Sequence, residues 1–348
     1  MAEGQANGPV TLRDVAALAG VSASTVSSVV RARSTVREQT RQRVQQAIDQ
    51  LGYEPNLVAR NLRSGRSRVL GLALPSVTVP YFRDFVDSVL RVARRHGLSV
   101  LITQTHGDPR RERDICEDPY LRHVDGILLV TVALGEEDAR TLTATKPLVM
   151  ATAAFTAGHV DSFDTDSFEA ARAAVAHLVA GGRRRIAALA PGEAFPAESD
   201  DRYRGYMAAL RDAGLPVTRR RVVSTDKVTF AAGVSAARTL LERAPETDAL
   251  FALGDALALG ALRGLHDIGR RVPEDIAVVG FGNVVQAAYS TPTLSTIDPG
   301  REELAERAVS LLADLAEAHA KNAPGPRPRH HTVGFRLIER ESSAARSR

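Results

Sequence analysis

Residues 11–34 read TLRDVAALAGVSASTVSSVVRARS, and this stretch decides the fold of the N-terminal region. Thr11 stands where an N-cap belongs, and Asp14 three residues on completes a capping-box pattern. Val15 and Leu18 give the first helix an apolar face. Gly20 supplies the turn, since glycine enters positive φ at little cost. Ser22 is placed to cap a second helix, in which Val26 and Val29 repeat the apolar spacing. Two short helices joined by a tight turn make a helix-turn-helix, whose second helix has the width of a DNA major groove. A third helix is expected from Glu38 to Leu51. Its Val44, Ala47, Ile48 and Leu51 fall at i, i+3, i+4 and i+7, enough to close a three-helix core, and Gly52 ends it.

Downstream lies GYEPNLVARNLRSGRS, residues 52–67. Pro55 bars a continuing helix, Asn56 can cap a new one, and Leu57–Leu62 make fewer than two turns before Ser64-Gly65. So short a helix is not stable alone in water. The segment is either a disordered linker or folds when something holds it. Leu57, Val58 and Leu62 are too apolar for a bare linker.

Charge is distributed unevenly. Residues 1–68 carry ten arginines, no lysine and five acids, a balance of +5 in a chain of net +4, so residues 69–348 are left at −1. A basic excess confined to one small domain is the electrostatic footprint of phosphate binding. The 348 residues exceed one ordinary domain, and the stretch after the headpiece is long enough for two packed lobes. No apolar stretch follows a basic start and no run reaches about 18 apolar residues, so neither a signal peptide nor a membrane span is expected. The single cysteine, Cys116, excludes an internal disulfide and a cysteine-based zinc site. A cytoplasmic protein, associated with the nucleoid, is expected.

The remainder alternates as an α/β chain does. Buried-strand runs occur at Val69–Leu74, Ser99–Thr103, Gly126–Val130, Pro147–Met150, Ile186–Ala190, Ala249–Leu253 and Ile276–Phe281. Helical patterns cover Tyr81–Arg95, Ser167–Ala180, Tyr203–Ala213, Phe230–Arg243 and Leu257–Ile268. This alternation implies parallel sheets covered on both faces, which bind ligands at the carboxyl ends of their strands. Two such lobes facing one another form a hinged cleft.

Three runs in the N-terminal region carry a family resemblance: V-A-x-L-A-G-V-S-x-S-T-V-S from Val15, L-G-Y-x-P-N from Leu51 and A-R-x-L-R-S-G-R from Ala59. They resemble the headpiece and hinge of LacI-type (lactose and purine repressor) transcription regulators. The resemblance continues through G-L-A-L-P at 71–75, P-Y-F at 80–82, V-D-G-I-L-L at 124–129 and H-L-V-A-G-G-R-R-R-I at 177–186. It goes on through R-Y-R-G-Y at 202–206, R-V-P-E-D-I-A-V-V-G-F at 271–281, S-T-P-T-L-S-T-I at 290–297 and F-R-L-I-E-R at 335–340. It implies an N-terminal extension (1–10, disordered), an all-α helix-turn-helix headpiece (11–54) and a hinge helix with linker (55–68). A two-lobed, periplasmic-binding-protein-like α/β domain (69–340) and a tail (341–348) would follow. Three chain crossings would put 69–164 and 299–325 in the first lobe, and 165–298 and 326–340 in the second.

The resemblance also assigns residues. Base reading falls on Ala23 and Ser24, which offer a methyl contact and a single hydroxyl bond, and on Ser28. Ser28 departs from the family, which usually has arginine there. Serine cannot fork onto guanine O6 and N7, so either a different half-site or weaker base discrimination is expected. Thr25 and Ser27 are expected to contact phosphate or cap the helix. Arg31 and Arg33 either contact phosphate or form a solvated arm. In the hinge, Leu62 would wedge between base pairs in the minor groove, with Ala59 its small neighbour and Asn56 and Arg60 alongside. For an effector, Arg202 and Asp255 stand at cleft positions, Tyr81 and Phe82 are placed to stack on a ring, and Ser76 and Asn283 complete the set. Several polar groups usual in the family are replaced, by Ser76, Val79, Gly254 and Gly282-Asn283. The effector is thus a sugar or derivative, a phosphorylated or larger ligand, or absent.

The expected function is a sequence-specific, DNA-binding transcription regulator: a repressor modulated by a small molecule. A homodimer matches a palindromic operator, and the sequence after Arg340 is too short for a tetramerising coil. A purely ligand-binding protein of the periplasmic type would carry a signal peptide and no basic headpiece. An enzyme is not expected, for no G-x-G-x-x-G, Walker-type, H-E-x-x-H or Cys-His pattern occurs. No metal or cofactor is expected. His330-His331 read as part of a solvated Arg/Pro-rich loop, and Asp161, Asp164 and Asp166 as a lobe-crossing turn.

Overall fold

The computed structural model describes residues 10–30, 36–53, 66–135, 137–138, 146–151, 160–192 and 200–344. The chain divides after Ser67 into two compact units. Arg31, Arg33 and the hinge residues Asn56, Ala59, Arg60 and Leu62 lie outside the described residues.

In the first unit, α1 (Leu12–Ala19), α2 (Ala23–Val30) and α3 (Glu38–Leu51) enclose one small core. The Thr11 N–H and hydroxyl both donate to Asp14 Oδ2, at 2.8 and 2.7 Å, and hold this carboxyl below its ordinary range. Gly20 and Gly52 end α1 and α3 in the left-handed region, at φ 63° and 61°. The buried face of α1 is Val15, Ala16 and Ala19, whereas Leu18 is 47% exposed. The apolar face expected through Leu18 is thereby corrected: the helices pack through small side chains at i+1 and i+4, and i+3 points outward.

The second unit holds two six-stranded sheets. The first has the order β11-β5-β4-β3-β1-β2 and is parallel throughout. Its strands are β1 (Val69–Leu74), β2 (Ser99–Gln104), β3 (Gly126–Val130), β4 (Leu148–Ala151), β5 (Asp161–Thr165) and β11 (His330–Val333). The second runs β12-β10-β9-β8-β6-β7, parallel except for the β10–β12 pair. Its strands are β6 (Ile186–Pro191), β7 (Val222–Thr225), β8 (Ala249–Ala252), β9 (Ala277–Phe281), β10 (Ser295–Asp298) and β12 (Arg336–Ile338). Helices α4 (Pro80–Arg95) and α9 (Arg301–Ala320) bury one face of the first sheet. Helices α5 (Ser167–Ala180) and α6 (Asp201–Asp212) bury one face of the second, and α7 (Phe230–Arg243) and α8 (Asp255–Asp267) the other. Strand periodicity does the sorting in β1: Leu70, Leu72 and Leu74 enter the core under α4 and α9, while Ala73 enters the opposite one. Among the described residues no helix is long and apolar enough to cross a membrane.

The chain passes between the sheets after β5, after β10 and after β11. The crossings touch: Thr165 Oγ1 donates to Pro299 O at 2.5 Å, and Gly300, at φ 71°, lies so close to the Gly334 carbonyl that a Cβ would collide with it.

Four expectations are corrected. Residues 330–333, assigned above to the second lobe, form β11 of the first sheet, and the last crossing comes only at Gly334-Phe335. The acidic segment is no turn. Residues Asp161–Thr165 form β5, with Asp161 accepting the Arg329 N–H at 3.0 Å, and Asp166 caps α5 by accepting the Glu169 N–H at 3.0 Å. His330 and His331 leave the loop: His330 Nδ1 lies 2.9 Å from Ser162 Oγ, and the His331 ring stacks on Phe163 with centroids 4.6 Å apart. The tail begins later than expected. Ser342 is buried, its hydroxyl donating to Val278 O at 2.7 Å and accepting the Ser295 N–H at 2.8 Å.

Glycines let α7 and α8 pack backbone to backbone. A Cβ on Gly260 would fall inside the contact shell of the Phe230 carbonyl oxygen, and one on Gly233 inside that of Leu257. Asp255 opens α8, yet its carboxylate turns under the β9–β10 connection. Oδ1 accepts the Thr296 hydroxyl at 2.6 Å and Oδ2 the Val284 N–H at 2.9 Å. Burial pushes its carboxyl up to about 6, against the lowering effect of these bonds.

Two outcomes are expected. Gly260→Ala gains up to about 1 kcal/mol of helix propensity but drives a methyl into backbone, which costs about 1–3 kcal/mol; the thermal midpoint falls. Between about pH 4 and 6 Asp255 binds its proton in the native but not the unfolded state. Its contribution to stability therefore declines as pH rises through that window, by up to about 1.4 kcal/mol per pH unit. Urea titrations across the window should show a shallower decline for Asp255→Asn than for the wild type.

Candidate nucleic-acid interface and effector cleft

The first turn of α2 is open to solvent, with Ala23 and Ser24 exposed and Thr25, Ser27 and Ser28 half-buried. Val26 and Val29 on its other face are locked in the core and fix its orientation. The hydroxyls form a local network. Ser22 Oγ accepts the Thr25 N–H at 3.2 Å, capping the helix, and lies 2.7 Å from Ser24 Oγ and 2.9 Å from Thr25 Oγ1. The Ser28 hydroxyl donates back to the Ser24 carbonyl at 3.0 Å. Such a surface offers only short-range groups: a methyl from Ala23, a hydroxyl from Ser24, and a Ser28 hydroxyl whose proton is already given to the helix.

In the second unit, strand carboxyl ends present the cleft residues. After β1, Ser76 Oγ lies 2.8 Å from Thr78 Oγ1 and accepts the Thr78 N–H at 3.1 Å, while Gln104 Oε1 accepts the Val77 N–H at 2.9 Å. Tyr81 and Phe82 open α4 edge to face, 5.5 Å apart. The two rings divide between the lobes, Phe82 packing on the first sheet's core and Tyr81 on the second's. Burial pushes the Tyr81 phenol up to about 12, keeping it a neutral donor.

Arg202, at the start of α6, is held in place before any ligand arrives. Its Nε donates to Asp200 Oδ1 at 3.0 Å, Nη2 donates to Oδ2 of the same carboxylate, and Nη1 donates to the Leu253 carbonyl at 2.7 Å. Its guanidinium carbon stands 5.7 Å from the centre of the Phe281 ring. Burial would raise the Asp200 carboxyl, but the guanidinium beside it holds it below its ordinary range. Sequence reading missed Asp200; the signal available was an acid two residues before an arginine at a helix start.

The remaining two candidates are committed within the fold. Asp255 faces the interior as described. Asn283, at φ 44°, donates its amide to Asp298 Oδ2 at 3.3 Å and accepts Arg340 Nη2 at 2.9 Å. Its neighbourhood ties the lobes together. Arg301 Nη1 donates to the carbonyls of Gly282 and Asn283, each at 3.3 Å, and Asp84 of α4 accepts the Val285 N–H at 3.0 Å. A further buried carboxylate that the sequence did not flag, Glu112, accepts the Thr131 hydroxyl at 2.5 Å and the Ala133 N–H at 3.2 Å, shaping the loop after β3. No group of three or more metal-ligating side chains occurs among the described residues.

Comparison with known proteins agrees with both units. A family model of bacterial regulatory proteins, lacI family, matches residues 11–56, and one of a periplasmic binding protein-like domain matches residues 175–343. An HTH-type transcriptional repressor PurR of Pectobacterium atrosepticum is 32% identical over 339 residues, 96% of this chain and 97% of its own length. A solved LacI-family regulator from Sanguibacter keddieii is 37% identical, with TM-score 0.72 over 80% of this chain and 99% of that one. The lac repressor dimer bound to operator and the anti-inducer ONPF is 26% identical, with TM-score 0.81 over 97% of this chain and 100% of that one. Related at this level along nearly its whole length, the chain belongs to the lacI family of bacterial regulatory proteins.

Proposed function

We propose that this protein is a dimeric transcriptional repressor that holds a palindromic operator through its headpieces and is modulated by a small molecule bound in the cleft between its lobes. It is not an enzyme: its relatives are transcriptional repressors. The observation that carries the reading is the solvent-facing start of α2, Ala23-Ser24, braced from behind by a three-helix core. Each headpiece reads one half-site, Ala23, Ser24 and Ser28 toward bases and Thr25, Ser27 and Arg31 toward phosphates. Asn56, Ala59, Arg60 and Leu62 form the minor-groove contact, with Leu62 as its wedge. Dimerisation is supported by Leu90 on α4 and Leu101 and Ile102 on the edge strand β2, large apolar side chains left exposed on the first lobe. The protein works where its DNA is, in the cytoplasm at the nucleoid.

The effector contacts Arg202, Ser76, Tyr81 and Phe82. Asp255 and Asn283 shape the wall from behind, since their polar atoms are already bonded. A ligand shifts DNA affinity only as far as it binds one lobe arrangement better than the other. Ligands that favour the DNA-competent arrangement are co-repressors; those that favour the other are inducers.

Selection from a random duplex library with the full-length chain at two salt concentrations should enrich a palindrome with a central C-G step. Affinity should fall steeply with salt. In Ser28→Arg the preferred half-site should gain a guanine, with discrimination of about 1–3 kcal/mol at that position. Recovery of unrelated sequences only would overturn the operator reading. For the cleft, a panel of neutral and phosphorylated mono- and disaccharides should contain a compound that raises the thermal midpoint of the wild type. Arg202→Gln should weaken that compound at least tenfold while leaving operator binding intact. An unchanged shift in this variant would remove Arg202 from the site.

A further inference from the structure

All strands of the first sheet point the same way, so their amino-terminal ends share one edge, and the chain enters the second unit there, at Arg68. The loops along this edge, in strand order from β11 to β2, carry Arg327 and Arg329, then Lys146, then Arg122 and His123, then Arg68, then Arg94. The edge is continuous. Arg329 O accepts the Ser162 N–H at 3.0 Å, Lys146 Nζ donates to Leu121 O and Arg122 O at 2.7 and 2.9 Å, and Arg68 O accepts the Ser99 N–H at 2.9 Å. Six strands at their usual spacing give it a length of about 24 Å.

Three acids beside these loops are engaged by backbone N–H groups, while Asp114 and Glu117, in the segment leading to β3, are exposed. Asp125 accepts the Arg68 N–H at 3.0 Å, Asp161 the Arg329 N–H at 3.0 Å, and Asp118 the Tyr120 N–H at 2.7 Å. Each of these three carboxylates is thus bonded to backbone, while the side chains of Arg68, Arg122, Arg327 and Arg329 are exposed, as is Tyr120 at 80%. Arg94 stands at a helix carboxyl terminus, where a cation complements the dipole; Arg122, Arg327 and Arg329 have no such explanation. Residues 69–348 carry a net charge of −1, so the cations of this rim do not reflect a basic excess of the whole domain.

We propose that this rim is a second DNA-contacting surface, lying along the phosphate backbone of the duplex that the headpieces hold. Guanidinium groups and a tyrosine hydroxyl are the groups that contact phosphates without reading bases. Only fourteen residues, 54–67, separate Tyr53 from Arg68, which bounds how far bound DNA can stand from the rim. The inference rests on the DNA-binding function proposed above but concerns surface outside the headpiece and hinge.

The test compares two full-length variants of equal charge for binding to the selected operator across a salt series. In the first, Arg122, Arg327 and Arg329 are each changed to Gln; in the second, Arg211, Arg243 and Arg270, exposed on the second lobe, are changed to Gln. The rim variant should lose at least tenfold in affinity near physiological salt. Its log–log salt slope should be shallower by about 0.9 for each phosphate that the rim no longer neutralises. Its ranking of operator sequences and its thermal midpoint should match the wild type, and the second-lobe variant should keep the wild-type slope. An unaltered slope in the rim variant, or an equal change in both variants, overturns the rim while leaving the repressor function standing. A wild-type chain that binds no duplex overturns both.

Discussion

Strand direction governs this molecule. In a parallel sheet every strand offers its carbonyl end on one side and its amide end on the other, and the returning helices bury both faces, leaving those two edges for chemistry. In the first lobe, loops at the carboxyl edge hold Ser76, Tyr81 and Phe82, and loops at the amino edge hold Arg68, Arg122 and Arg329. One edge faces the partner lobe and the other receives the chain from the headpiece. No rearrangement of side chains could exchange these roles without reversing the sheet.

The candidate effector positions already have partners within the protein. Arg202 grips Asp200 and a carbonyl, Ser76 and Thr78 bond each other, and Asn283 is held at both ends. Such a site is preorganised: little side-chain entropy is lost when a ligand enters, and specificity comes from the few valences left over. A ligand that engaged Arg202 could not redirect it without uncovering Asp200, so it would meet the guanidinium where it stands. The Asp84 and Arg301 contacts across the lobes bind this constellation to the closure itself.

Legibility in the sequence followed burial. β1, β3, β8 and β9 are enclosed on both faces and appear as unbroken apolar runs. β5 reads Asp-Ser-Phe-Asp-Thr and has the composition of a turn; it pairs with β11, and Asp161 and Ser162 bond Arg329 and His330, more than 160 residues away in the chain, which nothing local announces. The histidine pair reads as loop for the same reason. Candidate positions such as Ser76 and Arg202 came from spacing against a known family, whereas Asp200 and Glu112 become visible only when their partners are in place. Residue type foretells what Asp255 and Asn283 are able to bond, though not that their bonds close inside the protein.

The three lobe crossings lie side by side, and they are fastened to one another: Thr165 to Pro299 by a hydrogen bond, Gly300 against Gly334 by an approach too close for any side chain. Three independent strings would allow the lobes to twist, slide and bend. Three strings laced into a ribbon leave one soft direction, bending across the ribbon's width, and resist the rest. With the second lobe stiffened by a helix crossing as tight as that of Gly233 and Gly260, a ribbon of this kind favours bending between the lobes over twisting or sliding, so a change of the cleft would reach the far edge chiefly as an angle.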